Sequence, residues 1–175
     1  MKKLIVLIAA LLAAMLIVGC ASKPAAPSGP SAAELLASAR SNAPDGVLVG
    51  QATAKGAADQ TAMRQLLRAM NYLVGEMIDE QTTAGRLSAG AASDFKVSVT
   101  TIISRSTLPG AVKVDSGVSA AGDGYAVYYL EKGETLKEIN KAVGLAKEQV
   151  GGTSNFNTSN FEAKFAATAA REWKN

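Results

Sequence analysis

The sequence predicts a small α+β domain, with helices packed on one face of a mainly antiparallel sheet. Two stretches, 57–81 and 136–150, carry hydrophobic residues at the spacing of three and four that is typical of amphipathic helices. Between them the hydrophobic period falls to two, which indicates strands, and Pro109 and Gly110 mark a turn. The predicted order is one strand, a helix, a three-stranded meander and a second helix.

The start of this domain is expected near Pro44, because residues 41–46 have the composition of a turn. Residues 47–52 then alternate between two faces, which predicts a short strand. Residues 33–40 predict a brief helix ahead of the turn. The sequence leaves open whether that helix packs on the domain or belongs to a spacer.

The first long helix, 57–81, has an unusual distribution of methionines. Met63, Met70 and Met77 stand at heptad spacing on its apolar face. Methionine is adaptable, so one interpretation makes them a candidate interaction surface. The alternative is a helix face packed on the sheet, with methionine filling gaps.

The meander is expected to start with a long strand over 93–104, since alternate residues there are largely apolar. The residues assigned to its buried face are Phe95, Val97, Val99, Thr101 and Ile103. A second strand follows at 112–118, then a hairpin loop and a third strand at 125–130. This third strand is apolar on both faces, which predicts a central position in the sheet.

The last residues, 153–175, predict an amphipathic tail helix that gathers most of the aromatic residues. Phe161, Phe165 and Trp173 are candidate interaction residues in this tail. One interpretation docks the helix on the open face of the sheet, where it completes the core. The other makes it a helix for a protein partner or a membrane surface.

A targeting segment precedes all of this. Two lysines are followed by an uninterrupted apolar run of fifteen residues, 4–18, and then by Gly19 and Cys20. This order is typical of a cleaved secretory signal, and the run is shorter than the ~18–20 residues that a spanning helix needs. The end of the run resembles a lipoprotein signal, which implies cleavage between Gly19 and Cys20 and lipid attachment at Cys20, whose thiolate is the nucleophile. The alternative is a secretory signal with a chance cysteine.

Loss of residues 1–19 would remove two of eighteen basic residues, lowering the formal net charge from +3 to +1. No basic footprint for nucleic acid remains, so a nucleic-acid partner is not expected. Residues 20–43 then form the lipidated cysteine and a tether, since 21–32 is rich in Pro, Ala and Ser. A multiply acylated cysteine anchors a protein stably to a membrane without a transmembrane helix.

The composition offers little for catalysis. The chain contains no histidine, which excludes histidine-based triads and imidazole metal sites. Ser93 and Lys96 match an S-x-x-K motif, but on a strand they would point to opposite faces. Glu76, Asp79 and Glu80 share a helix face, and a solvated acidic surface is favoured over a cation site. We therefore predict no enzyme activity, no catalytic residues, no cofactor and no metal.

Three stretches resemble the LPP-twenty family of bacterial envelope lipoproteins and, similarly, the N-terminal domain of a flagellar assembly protein. They are PDGVLVGQATAKG (44–56), LLRAMNYLVGEMIDE (66–80) and TLPGAVKVDSGVSAAGDGYAVYYLEK (107–132). The resemblance covers roughly 44–150 and implies a dodecin-like domain without catalytic activity. Members repeat an Ala-Arg pair in the first helix, whereas this chain has one approximate match at Arg68, so no helix-surface function is transferred.

The function predicted from the sequence is that of a lipid-anchored cell-envelope protein, acting as a structural or protein-interaction module with a protein partner or with copies of itself. Ala21 after the cysteine favours the outer membrane. Alternatives are a solute- or peptidoglycan-binding lipoprotein and a flagellar or envelope assembly factor. For solute binding, Tyr125, Tyr128 and Tyr129 are the one aromatic cluster, and their alternation places them on both faces of a strand.

Overall fold

The computed structural model describes residues 28–171, and the α+β class predicted from the sequence is confirmed. The elements are α1 (Ala32–Ser41), β1 (Leu48–Ala54), α2 (Ala58–Thr83), α3 (Ala89–Ser104), β2 (Val112–Val118), β3 (Gly124–Leu130), α4 (Lys132–Gln149) and α5 (Phe161–Ala169). The predicted first strand, both long helices and the β2–β3 hairpin are therefore confirmed, with ends shifted by a few residues.

The sheet has three antiparallel strands in the order β1-β3-β2. Strand β3 is central, as its apolar character on both faces predicted. On one edge of β3, Leu48 of β1 pairs with Leu130. On the other edge of β3, Val112 of β2 pairs with Tyr129. The β2 ladder shifts register between Lys113 and Asp115, a bulge that interrupts the regular pairing of this edge strand.

The strand predicted over 93–104 is wrong, because these residues form most of helix α3. Phe95, Val99 and Ile103 are buried as expected, but they recur every four residues, a spacing that fits a helix face as well as alternate strand positions. Val97 distinguishes the helix from the strand. A strand would bury Val97 on the same face as Val99, but Val97 is 63% exposed. The Ser88 side chain caps the helix by accepting a hydrogen bond from the Ala91 N–H at 3.3 Å. The meander consequently has two strands, not three.

Helix α2 packs along β1 and forms the centre of the core. A Cβ at Gly50 would lie 2.1 Å from the Ala62 carbonyl oxygen, so only glycine permits this close approach of helix and strand. The outward N–H of Gln51 donates to Gln65 Oε1 at 3.0 Å, which satisfies a donor at the edge of the sheet.

Helix α1 covers the opposite face of the sheet, where Ala32 and Ala39 pack with Tyr125 and Val127. Its first turn carries a capping box formed by Ser31 and Glu34. Two predictions are corrected by this helix. Helices lie on both faces of the sheet, and the segment assigned to the tether, 20–43, contains a packed helix, so the fold begins ahead of Pro44.

The tail packs into the core. Phe156, Phe161 and Phe165 are each at most 3% exposed, and the ring centroids of Phe95 and Phe156 are 5.1 Å apart. The tail docks mainly on α2, not on an open sheet face: the Asn157 N–H donates to Gln81 Oε1 at 3.2 Å. The Gln81 amide nitrogen donates in return to the Asn157 carbonyl and to the Asn160 side chain.

Candidate functional site

The candidate interaction residues of the sequence are largely core residues. Met70 and Met77 are fully buried, and Met63 packs against the same core while partly exposed. Phe161 and Phe165 are also buried. Their assignment to an exposed interaction surface is therefore corrected: in this fold they stabilise the domain. Trp173, like Gly19 and Cys20, lies outside the described residues.

The acidic face of α2 is compensated by lysines. Asp79 Oδ2 lies 2.7 Å from the Lys96 ammonium, and Glu80 Oε2 lies 2.9 Å from the Lys164 ammonium. The hydrogen bond from Lys164 lowers the pKa of Glu80. Within 28–171 no group of three or more acidic, histidine or cysteine side chains is arranged to hold a metal ion.

The S-x-x-K match lies on a helix, so the argument that a strand separates its two side chains is wrong. A helix places residues three apart on neighbouring positions of one face. Ser93 is nevertheless exposed, and the Lys96 ammonium is engaged by Asp79. Ser93 and Lys96 are therefore not arranged as a serine nucleophile with a lysine base.

A cavity of about 270 Å³ lies between the end of α3, the loop that follows it, α2 and α4. We call it the Glu138 cavity. Its lining combines an apolar floor with polar groups at the wall and rim. The lining residues are Met70, Ile102, Ile103, Arg105, Ser106, Thr107, Pro109, Glu138, Lys141 and Ala142.

Glu138 is the distinctive residue of this cavity, because it is a carboxylate that is only 7% exposed. Its Oε2 accepts a hydrogen bond from the Ser106 hydroxyl at 3.1 Å. It takes part in none of the ion pairs found in the described part of the chain. Its second oxygen is not among the buried side-chain atoms without a partner, of which the described chain has one, Asn71 Oδ1, so this oxygen is open to the cavity and accessible to a ligand.

The loop after α3 is held in an uncommon conformation beside this carboxylate. Leu108 has φ 47°, in the left-handed region that a branched, bulky side chain rarely adopts. Its N–H donates to Ser106 Oγ at 3.2 Å, and its side chain is buried in the core. Ser106 thus joins the loop to Glu138 on α4. Uncommon backbone conformations that the surroundings enforce are frequent at functional sites.

Two basic side chains border the same cavity. Arg105 follows the last turn of α3, and Lys141 lies one turn beyond Glu138 on α4. Both are exposed, and neither lies within ion-pair distance of Glu138. The cavity therefore presents one negative charge on its buried wall and two positive charges at its rim.

A second polar cluster lies at the start of α2, but its groups satisfy one another. The Tyr128 hydroxyl donates to Asp59 Oδ1 at 2.5 Å, and the Lys113 ammonium lies 2.9 Å from the same oxygen. The hydrogen bond from Tyr128, and then that from Lys113, lowers the pKa of Asp59. Burial, followed by the bond to Asp59, raises the pKa of Tyr128. This cluster braces β2 and β3 against α2 and leaves no group for a ligand.

Sequence reasoning missed the Glu138 cavity. The available signal was that Glu138 adjoins the apolar face of α4, next to Ile139 and one turn before Ala142. A glutamate at the border of an apolar helix face is usually interpreted as a solvent-exposed residue. Its partner Ser106 comes from a different helix end, and only the fold brings the two together.

Comparison of this chain with protein-family models, with curated proteins and with solved structures gives no match. The predicted membership of the LPP-twenty family therefore stays a prediction. Across 28–171, the helices are too short or too polar for any of them to cross a membrane.

Proposed function

We propose that this protein is a lipid-anchored cell-envelope protein, without enzyme activity, whose domain binds a small solute in the Glu138 cavity. The observation that carries the proposal is a buried carboxylate with one hydrogen-bond partner facing a cavity of about 270 Å³. Binding sites combine an apolar lining with a few convergent polar groups, and this cavity has both. The volume lies just below the range of ~300–1,000 Å³ for drug-sized ligands, which favours a small solute.

The solute-binding alternative expected from the sequence used the face of the sheet, whereas the present proposal places the solute in the Glu138 cavity between helices. The protein-interaction hypothesis depended on six residues, of which four are buried in this fold, Met63 is partly exposed and Trp173 lies outside the described residues. The tyrosine cluster is not the basis of the present proposal either. Its members do lie on both faces of β3: Tyr125 and Tyr129 pack towards α1, and Tyr128 packs towards α2.

A binding test can use variants that fill the cavity. Ala142 lines it and is buried, so Ala142→Leu should block a solute, whereas Ala163→Leu on the exposed side of α5 is a matched control. Thermal unfolding of the full-length protein in detergent would be followed with amino acids, amines, organic acids and sugars. A ligand class should raise the Tm of wild type and control but not of Ala142→Leu. If no class behaves in this way, the cavity does not bind a solute.

The membrane anchor is proposed on sequence alone, from the apolar run that ends at Gly19 and Cys20. Cys20→Ala should abolish incorporation of labelled palmitate and should shift the protein out of the detergent phase or leave it uncleaved. Cys20→Ser is the closer control for side-chain size and should behave in the same way. Unchanged labelling of both variants would contradict lipid attachment at this residue.

A protein-interaction role remains a second proposal, now with a different surface. Strand β2 is an edge strand, and Val112 and Val118 are 42% and 69% exposed. Exposed apolar edge strands pair readily with another chain, although the bulge after Lys113 weakens this tendency. Val118→Lys should then abolish any dimer seen by sedimentation. A monomer in both proteins would remove self-association from consideration.

A further inference from the structure

We infer that the solute of the Glu138 cavity is a small zwitterion, with a primary ammonium bound by Glu138 and a carboxylate bound at the rim by Arg105 and Lys141. This inference rests on the proposed function and adds the chemical class of the ligand. Free amino acids and the ends of short peptides both carry these two groups. The charges of the lining residues and their depth in the cavity lead to this class.

The buried wall selects a donor with positive charge. Glu138 is almost fully buried, and Ser106 supplies one hydrogen bond to one of its two oxygens. An ionised carboxylate can accept about four hydrogen bonds. A primary ammonium offers three donors and the opposite charge, so it compensates this group better than water or a hydroxyl can.

The rim selects a negative charge. Arg105 and Lys141 are the two basic residues of the lining, and Glu138 is its one acidic residue. A guanidinium binds a carboxylate through two parallel hydrogen bonds, and a lysine adds a point charge. A purely anionic ligand that filled the cavity would meet Glu138 on its wall without a counter-charge. A ligand with separated charges satisfies both ends.

The size and lining of the cavity exclude other classes. About 270 Å³ is too small for a nucleotide or an oligosaccharide. The lining contains no aromatic side chain on which a sugar ring or a base would stack. Its apolar floor, formed by Met70, Ile103 and Ala142, suits a short aliphatic segment between the two charged groups.

Glu138 also has a structural explanation, in which it holds the loop through Ser106 and binds nothing. Two variants separate the roles. Glu138→Gln keeps an oxygen that accepts the Ser106 hydrogen bond but removes the charge that an ammonium requires. Ser106→Ala removes the loop contact but keeps the carboxylate. A loop-holding role is affected more by the second variant, and an ammonium-binding role more by the first.

The test is calorimetric titration of the full-length protein in detergent with γ-aminobutyrate, L-alanine and alanyl-alanine, and with the single-charge compounds butylamine and butyrate. The zwitterions should bind about tenfold or more tightly than either single-charge compound, as expected when one charged hydrogen bond is lost. Glu138→Gln should weaken zwitterion binding by a similar factor, and Arg105→Gln by several-fold. Lys137→Gln is the control, because Lys137 lies on α4 outside the cavity and pairs with Glu134. Preference for alanyl-alanine over the free amino acids would identify a peptide end as the source of the zwitterion.

Three results would overturn the inference. Butyrate or butylamine binding as tightly as the zwitterions, with Ala142→Leu blocking it, would leave a solute site of another class. If zwitterion affinity is unchanged in Glu138→Gln but is lost in Ser106→Ala, Glu138 only holds the loop through Ser106 and does not bind the ammonium. Failure of every compound, with identical titrations for wild type and Ala142→Leu, would remove the proposed function together with the inference.

Discussion

At one end of the antiparallel pair formed by α3 and α4 the contacts are aromatic and close, while at the other end a buried carboxylate borders a cavity. The closed end consists of Phe95, Val99, Ala146 and Phe156, all at most 2% exposed. The Lys147 ammonium also donates to the Phe156 carbonyl at 2.6 Å, which fixes the tail there. The open end consists of Ile103, Ser106, Glu138 and Ala142.

The two ends of this helix pair differ in what their contacts contribute to stability. Close apolar contacts at the closed end stabilise the fold through burial and dispersion. At the open end, the buried Glu138 borders a cavity, and such close apolar contacts are fewer. Replacement of buried charged groups by apolar ones is often neutral or stabilising, so a carboxylate at this position suggests a role other than stability.

The largest effect is expected at the closed end. Val99→Asp should destabilise the fold by about 5 kcal/mol, because it buries a carboxylate without a partner. Val97→Asp, two residues away on the same helix and 63% exposed, should change stability by about 0.5 kcal/mol or less. The measurement is the denaturation midpoint in urea. Similar losses at 97 and 99 would mean that both side chains face the core, as on a strand, and would contradict helix α3.

The next effect concerns the tail that seals the closed end. Phe156→Ala should cost about 3–5 kcal/mol, since it empties a fully packed aromatic site against Phe95. Glu162→Ala, in α5, should cost less than about 1 kcal/mol, because its ion pair with Lys132 is exposed. Urea denaturation of both variants provides the comparison. A cost for Phe156→Ala no greater than that of the control would make the tail a passive extension.

The hydrophobic pattern alone was enough to predict those elements whose apolar spacing fits only one type of secondary structure. The apolar stripe within 57–81 predicts helix α2, and the apolar character of both faces predicts the central position of β3. A strand was predicted in place of helix α3 for two reasons. Phe95, Val99 and Ile103 fit the helical and the strand spacing equally, and the β-branched residues of this segment favour a strand. The exposed Val97 could not be identified without the fold.

The candidate site was not predictable in the same way. Glu138 and Ser106 are 32 residues apart, and neither belongs to a motif. Their proximity follows from the antiparallel packing of α3 and α4, and a strand over 93–104 does not predict this packing. The tail phenylalanines were recognised as unusual, but whether they face a partner or the core depends on α2, the element that covers them.

A matched pair of substitutions compares the two ends directly. Ala142→Leu at the open end should change stability by less than about 1.5 kcal/mol, because the added carbons enter existing space. Ala146→Leu at the closed end should cost about 1–3 kcal/mol, since Ala146 is fully buried and its surroundings are filled. Thermal unfolding without ligand is the measurement. Equal losses at the two alanines would indicate that the cavity is closed in solution.

The smallest effect compares two serine hydroxyls, one at each end of the helix pair. At the closed end, the Ser98 hydroxyl donates to the exposed side chain of Gln149 at 2.8 Å, and at the open end the Ser106 hydroxyl donates to Glu138 at 3.1 Å. Ser98→Ala should cost less than about 0.5 kcal/mol, because water replaces an exposed partner. Ser106→Ala should cost about 1–2 kcal/mol, because it deprives a buried carboxylate of its one hydrogen bond and leaves the Leu108 N–H without its acceptor. Glu138→Gln combined with Ser106→Ala should recover part of this loss, since a neutral amide is less costly to leave unpaired than a charge. Purely additive losses in that double variant would mean that the Glu138 charge is already compensated in the free protein, and the open end would then differ from the closed end only in packing.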